Sequence, residues 1–333
     1  ALAPNVFPRL NEFGARYCAG GGPFGMYTGA SNLEELHVMI SKLCMVRRLK
    51  KDVLKDLPPK QRSQVFLAPE KSAMGEVNGI RKRLDKLREN PAGTDSFEEK
   101  RLINELYAAS AKAKTKVVCE YLDTLIEGSA DGKYLFFAHH TVMLDAVEEF
   151  LRKKKVQSIR IDGTTPADAR GKLVDTFQRE AACRVAVLSI KAAGMGLTLT
   201  AASTVVFGEM VWTPGDLVQA EDRAHRIGQL SSVLVQYLHV KDSIDDIIWM
   251  SVGKKMENLG VFLNGQSGVH LEATRGRALD GSQNNSAGKS PKKQKRNSSH
   301  VVDVSQRTLL ELFQSQQSTQ KTEPAGEDQL EEL

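Results

Sequence analysis

The sequence has little that would hold a metal or link the chain covalently, and it lacks a long apolar run. Its four cysteines, Cys18, Cys44, Cys119 and Cys183, are widely separated, with no C-x-x-C pair and no histidine at metal-ligand spacing. We therefore expect reduced thiols and no metal site. No apolar segment approaches the roughly 18 residues that a bilayer span needs, so we expect no membrane partner.

Two nucleotide-binding patterns are also absent. A phosphate-cradling loop needs G-x-x-x-x-G-K-[ST], and Gly288-Lys289-Ser290 imitates only its end, because Gln283 stands where the first glycine is required. The dinucleotide fingerprint G-x-G-x-x-G fails after Gly194 and Gly196, since the third position is Leu199. These 333 residues therefore contain no P-loop, and they do not support a dinucleotide fold.

Composition predicts one substantial core together with further segments. The chain has 333 residues, of which 41% are hydrophobic, and a single compact domain of that length is not expected. Lysine and arginine number 46 against 41 aspartates and glutamates, which gives a formal charge of +5. This mild excess allows nucleic-acid binding without requiring it.

Helical patterns dominate the first part of the chain. Ser31 and Glu34 have the spacing of a capping box ahead of an apolar stripe, and Pro58-Pro59 ends this stretch. We predict a helical connector over residues 1–60. A second apolar repeat at three-to-four-residue spacing predicts a helical extension over residues 61–128.

Beyond this point the pattern changes to alternating strands and helices. Five short runs rich in β-branched and aromatic residues predict strands at Tyr134 to Ala138, Ser158 to Asp162, Arg184 to Ile190, Thr204 to Gly208 and Val233 to Val240. Because helical patterns separate most of them, we predict an α/β lobe over 129–262, with a parallel sheet and helices on both faces. Thr165 is expected to cap one helix, and the last helix is expected to stop at Gly260.

Residues 263–333 are predicted to form a disordered tail, because they are polar and lose apolar periodicity. One basic run resembles a nuclear import signal, with a merely solvating run as the alternative: Lys292, Lys293, Lys295 and Arg296. A second segment is similar to a box that binds the sliding clamp PCNA: Gln306, Leu309, Leu312 and Phe313. Leu312 departs from the aromatic residue of that pattern, so a chance helical turn is the alternative.

The most informative stretch runs from 219 to 229. On a continuous helix, Gln219, Arg223 and Arg226 are four and three residues apart and share one face. Two guanidiniums and an amide suit a phosphate chain, because arginine stays charged and offers forked donors. The alternative is a solvated face whose arginines pair with Glu221 and Asp222, and spacing alone leaves both possibilities open.

A glycine-containing segment stands before this stretch. Ser189–Thr198 directly follows a predicted strand, and its Gly194 and Gly196 allow close approach to the backbone. In open α/β sheets, ligands bind at the carboxyl ends of the strands. The segment therefore adds weak support for a ligand site.

Together these segments resemble a known family. A-G-x-G-L-T at 193–198, W-x-P at 212–214 and Q-A-E-D-R-A-H-R-I-G-Q at 219–229 are similar to motifs V and VI of SWI/SNF-type superfamily 2 helicases. The similarity extends upstream through R-R-L-K-K-D-V at 47–53, F-F-A-H-H at 136–140 as motif IV, and I-R-I-D-G at 159–163. V-L-S-I at 187–190 and the F-A-H-H segment are similar to the HARP-like annealing-helicase branch. The resemblance covers residues 30–262.

This resemblance implies a RecA-like second lobe that closes on ATP and Mg²⁺, both held mainly by a first lobe. By matching position, Arg223 and Arg226 are the motif VI arginines, and Arg226 is the expected finger on the γ-phosphate. Gln219 and Asp222 are expected to orient that helix and its contacts.

DNA contacts are implied for further residues. Gly194, Gly196 and Thr198 are expected to couple contacts with the DNA backbone to the nucleotide cleft. Three more are expected near the tracked strand: His139, Asp162 and Thr164.

The basic run near residue 50 is a separate candidate for DNA phosphates. Arg47, Arg48, Lys50 and Lys51 belong to it, and a solvated basic face is the alternative.

We interpret the chain as the second motor lobe of a nuclear, ATP-dependent DNA translocase or annealing helicase that acts on forked or branched DNA in replication stress and repair. Ala1–Pro4 resembles residues that follow motif III, so we expect the first lobe upstream and no ATP hydrolysis by this chain alone. The alternatives are a chromatin-remodeler lobe, an RNA helicase, which the H-R-I-G-Q ending disfavours, and a non-catalytic fragment that binds DNA and PCNA.

Overall fold

A parallel sheet forms the centre of the protein. The computed structural model describes residues 3–19, 27, 29–89, 96–191, 196–264 and 274–275. Within these ranges the strands are β1 Lys60–Leu67, β2 Tyr134–Ala138, β3 Gln157–Ile161, β4 Cys183–Ser189, β5 Thr204–Phe207, β6 Val233–Val240 and β7 Thr274–Arg275.

Helices surround this sheet. In the described ranges they are α1 Leu10–Tyr17, α2 Leu33–Leu43, α3 Lys50–Val53, α4 Gly75–Glu89, α5 Ser96–Glu127, α6 Thr141–Lys153, α7 Ala167–Arg179, α8 Pro214–Glu221 and α9 Ile244–Asn264. The described residues all belong to one unit, Ala1–Gly281, and a second unit, Ser282–Leu333, lies outside them. No helix in the described part combines the length and apolar character that crossing a bilayer requires.

The sheet topology is that of an open α/β fold. The strand order is β3-β4-β2-β5-β6-β1-β7, and neighbouring strands are parallel throughout. From β2 the chain passes through α6 to β3, two positions away, and it returns through α7 to β4. Right-handed crossovers that run in opposite directions place their helices on opposite faces. The predicted α/β lobe with a parallel sheet and helices on both faces is confirmed.

Aromatic side chains fill the middle of the sheet. Phe137 of β2, Phe207 of β5 and Tyr237 of β6 are fully buried, and their rings stack across adjacent strands at centroid distances of 5.3 and 4.8 Å. Burial of one such ring stabilises a fold by about 2–3 kcal/mol. These contacts fix the relative positions of three strands, and thereby the loops that follow them.

The predicted helical extension over 61–128 is wrong in its first part, which forms strand β1. Only the later part is helical. Strand β1 pairs with β6 over its whole length, with Lys60 opposite Val233 and Leu67 opposite Val240. The sheet of the lobe therefore begins at Lys60 rather than after residue 128. Two residues of the predicted disordered tail also join the sheet, because Thr274–Arg275 pairs with β1. The first two residues of that predicted tail, 263 and 264, belong to helix α9 instead. Its remaining residues, 265–273 and 276–333, lie outside the described residues.

Three predicted helix ends differ from the structure. Ser31 Oγ donates to the carbonyl of Arg16, and α2 begins without a side-chain cap. Thr165 Oγ1 accepts from the main-chain N–H of Asp162, so it stabilises the loop after β3 rather than capping α7. Helix α9 continues through the buried Gly260 and ends four residues later.

Candidate functional site

The arginines expected on one helix face lie in a turn instead. Helix α8 ends at Glu221, and residues 222–229, here called the arginine turn, follow it without helical structure. The prediction of a continuous helical face is therefore wrong. The turn still brings both arginines to one place, because Nη1 of Arg223 and Nη1 of Arg226 lie 3.4 and 3.5 Å from the carbonyl oxygen of Leu197.

Arg226 is held by the segment that precedes β5. Its Nη1 donates to the carbonyl of Gly196 and to Oγ1 of Thr198, both at 3.1 Å. Gly196 has a φ of +74°, a left-handed conformation that favours glycine, so the residue type is what lets this carbonyl face Arg226. The structure thus brings Arg226 together with Gly196 and Thr198. Gly194 lies outside the described residues.

Arg223 is a buried cation with an unused donor. Only 7% of the residue is exposed, and its Nε has no hydrogen-bond partner within the described residues. Burial, together with the nearby charge of Arg226, holds the pKa of Arg223 below its usual range. No ion pair in the described part of the chain includes either arginine. A buried guanidinium in this state is suited to receive an anion.

The neighbouring carboxylates are occupied by other cations. Glu221 accepts from both Nε and Nη2 of Arg62, at 2.6 and 2.7 Å, and from Lys60 Nζ at 2.7 Å. Asp222 pairs with Lys50 at 2.7 Å and with Lys60 at 3.0 Å. The alternative in which Glu221 and Asp222 neutralise the arginines of a solvated face is therefore wrong. Asp222 anchors the turn to the connector, which is consistent with the orienting role that its motif position implies.

The two glutamines of the motif differ in position. Gln219 is exposed on α8, and its side chain has no hydrogen bond within the described chain. Gln229 is buried, and its Nε2 donates to the carbonyls of Thr200, Ala202 and Ala224 at 3.1, 2.9 and 3.1 Å. Gln229 therefore fixes the far end of the arginine turn, a role that the sequence did not predict. The only signal for it was its place at the end of the H-R-I-G-Q string, which carries no geometry.

The arginine turn lies where strands begin, not at their carboxyl ends. His225 Nε2 donates to the carbonyl of Pro58, two residues before β1, at 2.8 Å. Arg223 accepts from the main-chain N–H of Leu199, ahead of β5. A phosphate site at this turn therefore lies at the amino-terminal edge of β1 and β5, and the expectation of a carboxyl-end ligand does not apply to the arginines.

A second polar cluster does lie at the carboxyl ends. His139 and His140 follow β2, and their main-chain N–H groups both donate to Glu209 Oε2 at 3.0 and 2.9 Å. His140 Nδ1 bonds Glu209 Oε1 at 2.6 Å, and the ring of His139 stacks on Tyr107. Burial alone would raise the pKa of Glu209, but its bonds to His140 and the nearby charges of His140 and Lys114 together hold the pKa below its usual value. Sequence analysis missed Glu209, whose only signal was an acidic residue shortly after an apolar strand.

Asp162 organises the loop after β3. Its Oδ1 accepts from the main-chain N–H and the hydroxyl of Thr164, at 2.9 and 2.7 Å, and its Oδ2 accepts from Arg160 at 2.8 Å. The Thr164 hydroxyl is the main reason that the pKa of Asp162 falls to about 2, and Arg160 adds to the effect. Since the strands are parallel, this loop leaves the sheet at the same edge as His139. The carboxylate itself is already occupied, so it shapes this edge rather than presenting a free group.

The predicted basic run is divided. Arg47 and Arg48 are exposed, and Arg47 Nε donates to Asn264 at 2.9 Å. Lys50 instead bonds Asp222 and the carbonyl of His225. Lys50 is therefore part of the support of the arginine turn, while Arg47 and Arg48 stay candidates for DNA phosphates. The nuclear-import and clamp-binding residues lie outside the described residues.

Comparisons with known proteins relate this arrangement to helicases. The family described as Helicase conserved C-terminal domain matches residues 113–228. The SWI/SNF-related matrix-associated actin-dependent regulator of chromatin subfamily A-like protein 1 of Xenopus tropicalis is 44% identical over 269 residues, which cover 78% of this chain and 28% of that protein. The DNA annealing helicase and endonuclease ZRANB3 of Bos taurus is 41% identical over 282 residues, which cover 83% of this chain and 26% of that protein.

A solved structure supports the fold. The crystal structure of the C-terminal part of the Fun30 ATPase domain matches with a TM-score of 0.51 at 21% identity, over 59% of this chain and 89% of that chain. The sheet and the family match together define a helicase C-terminal lobe of RecA-like fold. More particularly, the chain carries the C-terminal lobe of a SWI/SNF-type superfamily 2 helicase of the annealing-helicase branch. It spans about a quarter of the length of the two curated relatives.

Proposed function

We propose that the chain is the second motor lobe of an ATP-dependent DNA translocase, and that the arginine turn is its contact with the nucleotide. The observation that carries this proposal is the buried Arg223, whose Nε has no partner among the described residues and which lies beside a second guanidinium. Placing two cations together without a carboxylate is unfavourable unless an anion joins them. The forked donors of arginine match phosphate oxygens in geometry and charge.

ATP and Mg²⁺ would be held mainly by a first helicase lobe, because these 333 residues contain no phosphate-cradling loop. When bound, ATP supplies the γ-phosphoryl group that passes to water. Arg226 uses Nη1 in its bonds to Gly196, Leu197 and Thr198, and no other donor of its guanidinium is bonded within the described residues, so these donors can reach phosphate oxygens. Arg226 would stabilise charge that develops on those oxygens, and Arg223 would keep the surroundings positive.

DNA is the proposed partner of the carboxyl-end cluster. His139 has a buried Nδ1 without a partner in the described chain, and Thr164 lies on another loop of the same edge, two strands away. Thr198 touches Arg226, so a DNA contact at Thr198 would be mechanically linked to the arginine turn. Forked or branched DNA, a nuclear location and a role in repair are proposed from the similarity to a protein named as a DNA annealing helicase.

The test uses a two-lobe protein, in which the 333-residue chain is joined to a first helicase lobe. Arg226→Ala should lower the turnover of ATP by roughly 10³-fold or more, because a finger acts mainly on the charge of the transition state. DNA affinity should stay nearly unchanged, and Arg226→Lys should not restore turnover, since an ammonium lacks the fork. Arg152→Ala is the control, because Arg152 is exposed and pairs only with Glu149.

Steady-state turnover and DNA affinity are measured for each variant. If Arg226→Ala weakened DNA binding and kept turnover per bound complex, the assignment of the arginine turn to the nucleotide would be wrong.

A further inference from the structure

The residue just before the arginine turn is a carboxylate with no exposure to solvent. Glu221, the last residue of α8, is 0% exposed. Besides Arg62 and Lys60, it accepts from the hydroxyl of Tyr237 at 2.5 Å. Its four hydrogen bonds use the acceptor capacity of a carboxylate in full. All of these donors belong to β1 and β6, so the side chain of Glu221 is fixed to the sheet.

The main chain of Glu221 makes hydrogen bonds to the arginine turn. Its carbonyl accepts from the N–H groups of Ala224 and His225, both at 3.2 Å. These bonds close the first part of the arginine turn directly onto Glu221. A single residue therefore connects the sheet, through its side chain, with the backbone that carries Arg223 and Arg226.

The link between the sheet and the arginine turn depends on the negative charge of the Glu221 carboxylate. Burial would raise the pKa of Glu221, but Arg62 and Lys60 lower it below the usual range, so the group is ionised at neutral pH. Arg62 and Lys60 are themselves largely buried, with side chains 20% and 14% exposed. Removing the negative charge would take the shared carboxylate away from these two cations, of which Lys60 also bonds Asp222 at the start of the arginine turn. Repulsion would then act on the turn.

We propose that Glu221 is a positioning residue: by holding Arg62 and Lys60 with its side chain and the arginine turn with its main chain, it sets the position of Arg226 for phosphoryl transfer. This inference rests on the proposed function of the arginine turn. In the described chain no side-chain hydrogen bond or ion pair joins Glu221 to the segment 196–198, so Glu221 acts through the turn. A displacement of about 1 Å at a group that acts on the transition state lowers rates by about 10²-fold.

The decisive variant is Glu221→Gln in the two-lobe protein, which keeps the size of the side chain and removes its charge. We expect kcat to fall by roughly 10- to 100-fold, with the KM for ATP and the Kd for DNA changed by less than about 3-fold. Arg62→Met should have a similar effect, although Arg62 lies on β1. The double variant should be no worse than the poorer single variant, because both changes break one link.

Controls separate positioning from loss of folding. Asp216→Asn makes the same chemical change on the same helix, at a carboxylate that is in no ion pair of the described chain, and should leave kcat unchanged. The folded fraction of every variant is measured at the assay temperature by circular dichroism. If Glu221→Gln does not fold, Arg62→Lys, which keeps the charge but loses the fork, should lower kcat by about 3- to 10-fold with an unchanged KM.

A second readout needs no activity. In the 333-residue chain, Glu221→Gln should accelerate amide hydrogen exchange at least about 10-fold in residues 223–229, while the exchange of β5 and β6 stays as it was.

The possible outcomes separate this inference from the proposed function. A kcat that falls only in proportion to the folded fraction, an unchanged kcat, or a raised KM alone would overturn the role of Glu221. Arg226→Ala serves as the reference in the same assay. If it abolishes turnover and Glu221→Gln does not, only the positioning role fails; if Arg226→Ala itself has no effect, the proposed function fails.

Discussion

Lys114 and Asp245 form an ion pair in the interior of the protein, with each side chain only 2% exposed. Nζ of Lys114 lies 3.0 and 2.9 Å from the two carboxylate oxygens, and it also donates to the carbonyl of Leu238. Asp245 in turn accepts from the main-chain N–H of Val240. The pair thus joins α5, α9 and the end of β6 through groups that water does not reach.

Breaking this pair should destabilise the lobe strongly. Lys114→Met removes the cation at nearly constant length and leaves Asp245 as an uncompensated buried charge, so we expect a loss of about 3–5 kcal/mol in the free energy of unfolding. Lys116→Met is the matched control, because Lys116 is 69% exposed and its solvent-screened pair with Glu70 should contribute little to stability. Urea unfolding of the 333-residue chain measures both. Equal losses would refute the distinction.

The 333-residue chain alone should not hydrolyse ATP, with or without DNA. It offers an arginine turn but no loop that cradles the phosphates, and phosphoryl transfer requires both. Phosphate release by this chain is compared with release by the two-lobe protein at equal concentration. Turnover by the short chain above the rate without protein would show that another part of it binds and activates the nucleotide.

Asp162 should make the stability of the lobe depend on acidity. Its folded pKa of about 2 lies below the ordinary value of 3.8, mainly because of the Thr164 hydroxyl. A depressed pKa stabilises the folded state fully above the ordinary value, and the contribution is lost as the pH falls from about 4 towards 2. Asp162→Asn should therefore cost about 2 kcal/mol at pH 7 and less at pH 3.

The matched control for this change is Asp131→Asn, at an exposed loop position. Urea unfolding at pH 7, 4 and 3 gives the difference between each variant and the parent chain. A difference for Asp162→Asn that stayed constant over this range would mean that its carboxylate is not the source of the stability.

The tail segment near residue 310 should bind PCNA weakly. In a helical turn Leu309, Leu312 and Phe313 share one face, with Gln306 one turn earlier. Ordering the segment opposes binding, so we expect a micromolar Kd, or roughly −8 kcal/mol. Calorimetry with a peptide of residues 300–320 should detect this, and Leu309→Ala with Phe313→Ala should remove it. Equal heats from both peptides, or none from either, would leave only a chance helical turn.

The sequence was sufficient for those strands whose side chains are apolar along most of their length. Tyr134–Ala138 and Val233–Val240 are largely buried and could be identified from residue type alone. Strand β1 could not, because among its apolar residues only Val65 and Leu67 are buried, and its first half carries Lys60 and Arg62. Those charged residues are tolerated in the sheet because Glu221, far away in the sequence, neutralises them.

The contacts of Glu221 also explain which features of the candidate site could be predicted from the sequence and which could not. Motif composition identified Arg223 and Arg226, since residue type alone determines their charge. The end of α8 at Glu221 was not predictable, because side chains of β1 and β6 hold this residue and helical spacing carries no information about them. The acidic partner of Lys50 could not be predicted either, because a basic run does not indicate which of its members has such a partner.

The pairing of β1 with β6 has a consequence during protein synthesis. Val240 is translated roughly 170 residues after Leu67, which takes on the order of ten to thirty seconds at ribosomal rates. Throughout that interval β1 lacks its complete partner strand β6. Until Glu221 is translated, Arg62 also lacks the carboxylate that neutralises it. The nascent chain therefore carries an unpaired strand with an apolar end during this interval, which is the kind of exposed edge that promotes aggregation.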